Sequence, residues 1–388
     1  MQTVGIGVVG AGFVADLHAE AFARVAGHDV RIVAVAAPPT RRAAFAQRHQ
    51  IPRVYDDLEQ LLADDDVQVI DICTPPSLHV DMVIRALEAG KHVICEKPLT
   101  GYFEVPEEGA DGVDREQMYA AVLAQMDRLR EVVEASDRVF GYAENYVYAP
   151  SVQKSREVLE KTGSRITMMI GEESHNGSHA EYSRRWKDSG GGALIRQGCH
   201  PLSAMLYLKN IEARAAGRRV EVESVIADTT AITPTLTDEQ RRFLHARPVD
   251  VEDIANVILS FDDGTRGVVT ATDTIVGGVR NSLQVFTHDS VHLCQISQSD
   301  SLRLYHGDAA SLEDVYVTEK IDNKGGWQFV LLDELLARGY IGEMQDFIDC
   351  IVGGGTPQSD FELAYASMQA IYAAYEAAAT DRRVHLPR

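Results

Sequence analysis

Three stretches of this chain place residue types where chemistry needs them. The first is Gly10-Ala11-Gly12-Phe13-Val14-Ala15, a GxGxxA pattern near the start. Gly10 permits a tight turn, Gly12 lets the backbone approach a pyrophosphate, and the small Ala15 lets a helix pack close to a strand. Free N–H groups at the start of that helix then face the phosphates. The second stretch is Cys95-Glu96-Lys97-Pro98. Lys97 follows an apolar run, so it sits at the carboxyl end of a strand, where open α/β sheets bind their ligands. A lysine crowded by an oxidised nicotinamide loses its charge more easily and can accept or relay a proton. The third is Gly190-Gly191-Gly192-Ala193-Leu194-Ile195-Arg196-Gln197-Gly198-Cys199-His200. His200 closes it with a side chain whose ordinary pKa suits general acid–base work near neutrality.

These groups need positioning, and the first third of the chain provides it by alternating strand with helix. Val4–Val9, Arg31–Val35, Val67–Cys73 and Lys91–Cys95 read as strands, with helices over Val14–Val25, Arg41–His49 and Ser77–Ala89. Short connections between them predict βαβ units and a parallel sheet. Runs such as Val69 to Cys73 lack alternation, as in strands covered on both faces. The GxGxxA stretch lies between the first strand and the first helix, the context that gives it meaning. After Pro98 an acidic, glycine-bearing segment is expected to form an exposed excursion before a helix over Met118–Ala135. The strand Arg138–Tyr142 completes a first domain, and Pro150 marks the crossing.

Beyond it, β-branched strands dominate: Arg165–Glu172, Val220–Ile226, Val257–Phe261, Gly267–Thr272, Leu283–Thr287 and Val291–Gln295. Turn signals at Asp263-Gly264 and Gly277-Gly278 predict a largely antiparallel sheet. Helices return over Glu343–Ile351 and Phe361–Ala379. The expected fold class is α/β. Residues 1–150 form a Rossmann domain with a parallel sheet, and residues 151–388 an α+β domain for substrate and oligomer contacts. Its last helix packs back on the first domain.

Composition excludes several partners. The 388 residues carry a net charge of −21, which repels nucleic acid and anionic membranes while leaving room for a local basic pocket. Five scattered cysteines (Cys73, Cys95, Cys199, Cys294 and Cys350) show no CxxC spacing. They predict neither a disulfide framework nor a metal site, and a reducing cytoplasm fits best. The N-terminus reads as a strand rather than a signal peptide. No apolar run approaches the roughly 20 residues a bilayer requires. At the end of the second strand, Ala37 stands where an acid would hold the ribose 2′-hydroxyl. With Thr40, Arg41 and Arg42 nearby, either NAD or NADP is admitted, with a slight lean to NADP. Alternatively, both arginines simply open a solvent-facing helix.

Cys95–Pro98, the earlier Thr74-Pro75-Pro76-Ser77-Leu78-His79 and the glycine-rich stretch ending at His200 together resemble the glucose–fructose oxidoreductase / inositol dehydrogenase (Gfo/Idh/MocA) family. Residues 342–384 share its C-terminal look, so the resemblance spans nearly the whole chain. It implies an NAD(P)-dependent dehydrogenase acting on a secondary alcohol of a sugar, polyol or derivative. It also implies a homo-oligomer, dimer or tetramer, joined through the second sheet. The motif and its surroundings set Gly10, Gly12, Phe13, Val14, Ala15 and Arg41 against the dinucleotide. The resemblance adds Thr74, Pro75, His79, Glu96 and Lys97, with Lys97 as the catalytic lysine and His200 its partner. Ala143-Glu144-Asn145-Tyr146 and Glu173 to His179 look like members that handle carbohydrates, which implies Asn145 and His175 as substrate contacts.

One departure stands out. Members usually carry an Asp four residues before the histidine, and this chain has Arg196; the Asp three residues after it is Ser203. An arginine close to Lys97 and His200 lowers both pKa values. It also offers a bidentate donor to a carboxylate, sulfonate or phosphate, which predicts an acidic or anion-bearing sugar bound by Arg196. The alternative is that Arg196 turns away into a salt bridge. Two further readings stay open. One is a transient redox step that drives elimination or glycoside cleavage with no net cofactor turnover. The other is a cofactor-binding regulator without catalysis.

Overall fold

The computed structural model describes residues 3–110, 112–297 and 302–387. The first half alternates β1 (Thr3–Val9), α1 (Phe13–Phe22), β2 (Asp29–Ala36), α2 (Pro39–Arg48), β3 (Arg53–Tyr55), α3 (Leu58–Leu62), β4 (Val69–Ile72), α4 (His79–Glu88), β5 (His92–Glu96), α5 (Arg115–Ala135) and β6 (Phe140–Ala143). The strands form one sheet in the order β3-β2-β1-β4-β5-β6, with every pair parallel. β1, β4 and β5 are almost wholly buried, as their unbroken apolar runs require. The order reverses between β1 and β4, which opens a crevice at the carboxyl ends of the strands. Register brings Val9 level with Ile72, and Ile72 level with Cys95. Gly10, Cys73 and Glu96 therefore emerge along one edge.

The second half begins with α6 (Pro150–Thr162) and β7 (Ile166–Ser174), then α7 (Trp186–Ser189), a π-helical turn at Leu194–Gly198 and α8 (Cys199–Ala215). There follow β8 (Val222–Thr230), β9 (Ile254–Phe261), β10 (Arg266–Thr272), β11 (Arg280–Thr287), β12 (Val291–Gln295), β13 (Arg303–His306) and β14 (Gly326–Phe329). The chain closes with α9 (Glu334–Ala337), α10 (Tyr340–Gly353), α11 (Phe361–Thr380) and β15 (Val384–His385). The large sheet runs β12-β11-β7-β10-β9-β8-β15. It is antiparallel except where β7 pairs parallel with β10. The α/β class and the mostly antiparallel second sheet are as expected.

α11 lies against α5 of the first half as well as α8 and β8 of the second. Tyr365 donates to Asp127 at 2.8 Å, and the Arg130 guanidinium sits 4.0 Å over the Tyr365 ring. The sequence reading did not mark β3, α3, α6, α7, α8, β13, β14, α9 or β15. The miss of α8 matters most, because His200 sits in its first turn. The excursion after Pro98 also differs from expectation. Leu99, Tyr102 and Ala110 are buried, while Glu104, Pro106–Glu108, Gly112 and Asp114 face solvent as expected. The Tyr102 amide donates to Tyr372 Oη at 2.6 Å, and its carbonyl accepts from Trp186 Nε1 at 3.1 Å. Aromatic partners far along the chain thus pull a polar segment inward.

One buried carboxylate fixes the approach to His200. Glu252 accepts from the amides of Gly192 and Leu194, each at 2.9 Å, and from Tyr375 Oη at 2.9 Å. A side chain at Gly192 would overlap the Glu252 carbonyl. Gly192→Ala is expected to cost about 2–3 kcal/mol through this forced shift, read as an earlier urea midpoint. An unchanged midpoint would show that the turn is not held in this way.

Candidate active site

The crevice between β1 and β4 begins at Gly10, whose φ of +105° suits glycine alone. A Cβ there would also strike the Cys73 carbonyl. Gly12 caps α1 without any side-chain hydrogen bond, so the amides of the first turn are bare. The nearest side chain to a Cβ at Gly12 is Arg41, whose Nη1 lies 3.9 Å away. Ala15 is fully buried against the sheet, while Phe13 is 66% exposed beside the crevice and Val14 half-buried. Thr74 and Pro75 follow β4 on the same edge, half-buried and exposed respectively. Bare amides, a close-approach glycine and an adjacent cation fit a pyrophosphate.

Two expected cofactor-end residues are placed differently. Arg42 is taken up by the Asp56 carboxylate and by the Tyr55 carbonyl at 3.1 Å, so it does not stand ready for a 2′-phosphate. His79 is wholly buried, with Nδ1 2.9 Å from the Pro98 carbonyl and Nε2 2.9 Å from the Thr74 carbonyl. It ties the two edge loops together and has no ring nitrogen left for a dinucleotide.

Beneath the edge lies a chain of buried charges. His18 of α1 places Nδ1 3.0 Å from Asp71 and Nε2 3.1 Å from Glu96. Burial disfavours the imidazolium, but Asp71 outweighs it and raises the His18 pKa well above its usual value. Glu96 is pushed up by burial, yet His18 and Lys97 together hold it below the usual carboxylate range. Its Oε2 accepts the Lys97 amide at 2.9 Å. The sequence reading passed over His18, although its place one turn beyond the glycine motif was the available signal.

Lys97 reaches across to the second half, where Nζ donates to the Arg196 carbonyl at 2.9 Å. Burial alone would lower its pKa. The Cys199 sulfur and the carboxylates of Glu96, Glu173 and Glu144 outweigh burial and raise it. The acids that favour the charged form come from three separate parts of the chain. His200 departs from expectation as well. Burial, followed by Lys97, drives it down to about 3, so the ring is neutral rather than poised near neutrality. Its Nδ1 lies 2.6 Å from Glu144 Oε1, and its Nε2 faces Glu173 Oε2 at 3.8 Å. Tyr146 stacks on the ring at 4.5 Å and 18°. Burial lifts Glu144 to about 8 against the attraction of Lys97.

Arg196 takes the salt-bridge alternative. Its guanidinium pairs with Asp273, which also accepts from Gln197. Its positive charge is matched by Asp273. Asn145 is buried and gives its amide to the Arg338 carbonyl at 2.7 Å. His175 accepts the Gly177 amide at 2.9 Å and sits 3.5 Å from Asp273. Burial, then Lys320 and Arg196, push it to about 3. His179 is exposed and rests on His245, apart from this cluster. Ser203 bonds Ser367 at 2.7 Å between helices. Glu144 and Glu173 were inside stretches the sequence singled out but had no role assigned to them. Only the fold shows that both converge on His200.

This geometry has relatives. Residues 4–123 match an oxidoreductase family with an NAD-binding Rossmann fold, and residues 158–289 match the GFO/IDH/MocA C-terminal domain. The chain belongs to the GFO/IDH/MocA oxidoreductase family. Levoglucosan dehydrogenase of Pseudarthrobacter phenanthrenivorans is 27% identical over 417 aligned positions, covering 100% of this chain and 99% of that protein. Myo-inositol 2-dehydrogenase of Thermotoga maritima is 23% identical, covering 98% of each. Among solved structures, GenD2 from gentamicin A biosynthesis in complex with NAD superposes with a TM-score of 0.81 at 22% identity, covering 100% of this chain and 97% of that one. These findings meet the expectation of a nicotinamide-dependent dehydrogenase of this family. They lend no support to the lean toward NADP.

For this GFO/IDH/MocA member, Gly10→Ala is expected to weaken dinucleotide binding at least tenfold in calorimetric titration. The added methyl forces the turn away from Cys73 at a φ that L side chains rarely adopt. Wild-type affinity in a folded variant would contradict this placement of the pyrophosphate.

Proposed function

We propose that this enzyme oxidises a secondary alcohol of a sugar, polyol or sugar derivative, with Lys97 and His200 handling the proton. The observation that carries the reading is a half-buried ammonium, its Nζ on the Arg196 carbonyl, beside a buried neutral imidazole at the carboxyl edge of the first sheet. A bound nicotinamide supplies the hydride acceptor. The chain's own residues must deal with what remains, a proton leaving a hydroxyl. Lys97 stays charged and donates a hydrogen bond to the oxygen as negative charge develops there. His200, being neutral, offers a lone pair to the proton. Buried carboxylate oxygens without partners, Glu144 Oε2 and Glu173 Oε2, are acceptors suited to sugar hydroxyls.

Because Asp273 balances Arg196, the reading favours uncharged hydroxylated rings over acidic sugars. Relatives named for levoglucosan and myo-inositol point the same way. At the ribose end, Ala37 and the nearby Arg41 leave room for a 2′-phosphate, while relatives are seen with NAD or NADH. Arg41→Ala is expected to raise KM for NADP about tenfold more than KM for NAD if Arg41 meets that phosphate. Equal changes would assign Arg41 to the pyrophosphate.

The outer face of the second sheet supports a homo-oligomer. One row across six strands reads Ile226, Ile258, Val268, Ile170, Gln284 and Leu293, and Leu293 is 63% exposed. Such a patch matches an interface between copies. The five cysteines are free, which accords with a reducing cytoplasm. No described helix is long and apolar enough to cross a membrane.

The test is a screen of sugars, polyols and sugar acids with NAD and with NADP, following nicotinamide absorbance. Turnover is expected on neutral rings, and Lys97→Met should lower kcat by about 100-fold or more. Turnover only on imines or amino acids would overturn the reading. Product formation without net reduced cofactor would favour the redox-neutral cleavage alternative.

A further inference from the structure

His200 Nδ1 and Glu144 Oε1 are 2.6 Å apart, and both side chains are buried. At that distance a single hydrogen must lie between them, on one atom or the other. Tyr146 stacks on one face of the ring and fixes its plane. Nε2 is left facing Glu173 Oε2 at 3.8 Å, beyond hydrogen-bond reach, so this nitrogen is directed at the unpartnered polar atoms of the site. The position four residues before His200, where a carboxylate was expected, is an arginine turned to Asp273. Glu144 arrives from the end of β6, in the other half of the chain.

We infer that Glu144 and His200 act as one proton-handling pair, in which Glu144 sets the ring tautomer and takes up the proton that the substrate hydroxyl gives to Nε2. This rests on the reading of His200 as the proton acceptor. The starting state has Glu144 ionised and accepting from Nδ1–H, with a lone pair on Nε2. A bound nicotinamide would accept the hydride from the carbinol carbon; on the protein side the hydroxyl O–H bond breaks and an Nε2–H bond forms. The Nδ1–H bond breaks, and its proton bonds to Glu144 Oε1. The ring is neutral before and after, and the carboxylate has become a carboxylic acid. This route avoids an imidazolium, which burial and Lys97 both oppose. Glu144 is thus a positioning residue that also stores the proton.

The groups facing the pair come from every element around it. Lys97 and Glu96 stand at the end of β5, Cys199 lies beside His200, and Glu173 comes from β7. Tyr142 and Tyr146 flank Glu144 on its own strand and turn, Glu343 of α10 lies near it, and Arg338 acts on His200. Burial sets Glu144 at about 8, with Lys97 pulling it down and Glu96 pushing it up. Oxidation needs the ionised form, so kcat should rise as pH passes through about 8 and fall below it.

Two readouts separate this from a merely structural role. In the first, Glu144→Gln is expected to lower kcat about 100-fold with KM little changed and to erase the pH limb, while Glu144→Asp restores the limb in part. In the second, nitrogen NMR of labelled histidines needs no substrate, with His200 assigned by its loss in His200→Gln. The His200 proton should move from Nε2 to Nδ1 as pH rises through the same range, and Glu144→Gln should stop that movement. Thermal melts confirm that each variant folds. A wild-type pH limb and kcat within threefold in Glu144→Gln, or one fixed tautomer at all pH in the wild type, would overturn the pair. If the tautomer moves as stated but no sugar is oxidised, the pair stands and the proposed function fails instead.

Discussion

A lysine ammonium drawn partly out of water needs acids around it, and much of this molecule is arranged to meet that need for Lys97. One acid, Glu96, is its chain neighbour on β5. Glu144 directly follows β6, and Glu173 belongs to β7 of the second sheet. A cation isolated among apolar groups would shed its proton, because its hydration is worth far more than van der Waals contact. Here the carboxylates supply the missing solvation, and the Arg196 carbonyl takes one N–H directly. Both halves of the chain must close on each other for that set to assemble. The ammonium is therefore a link between fold and chemistry as well as a reactive group.

The same requirement propagates downward. Glu96 near Lys97 is itself buried and is held ionised by His18, whose other nitrogen rests on Asp71. Each charge in the series is matched by the next, so no member stands alone in low dielectric. Removing His18 would leave buried Asp71 without its cation and Glu96 with Lys97 alone, a change of the kind that costs about 3–5 kcal/mol. The series also explains why α1 must pack so closely on β1. Only with the small Ala15 against the sheet does His18, one turn later, reach under the edge. The glycine motif is usually read for its phosphate amides, but here it also sets the depth of the helix that carries His18.

How much of this was legible beforehand follows from the range of the interactions. The parallel sheet, the crevice and the places of Gly10, Gly12 and Lys97 come from local patterns: apolar runs, turn glycines and a strand end. Those patterns depend on neighbours a few residues apart. What the sequence did not disclose depends on contacts across the chain. Tyr372 pulling Tyr102 inward spans 270 positions, and the Glu144–His200 contact spans 56. The charge states failed for the same reason, since His200 alone suggests neutrality while His200 buried beside Lys97 is driven far below it. His79 looked like an edge residue available to a ligand, and only the paired carbonyls of Thr74 and Pro98 reveal it as a tie between loops.

Arg196 shows how one substitution redistributes charge. A carboxylate at that position would have served the histidine from one turn away on the same segment. With an arginine there, two separate acids divide the work. Asp273, just beyond β10, pairs with the guanidinium and also accepts from Gln197. Glu144 meets the histidine from the opposite side, backed by the Tyr146 amide at 3.3 Å. That is why the arginine, which looked like the strongest sign of an anionic substrate, carries so little of that meaning once folded. The overall charge of −21 is equally uninformative about the site, because electrostatics in a buried cluster are set by the nearest few groups and screened from the rest.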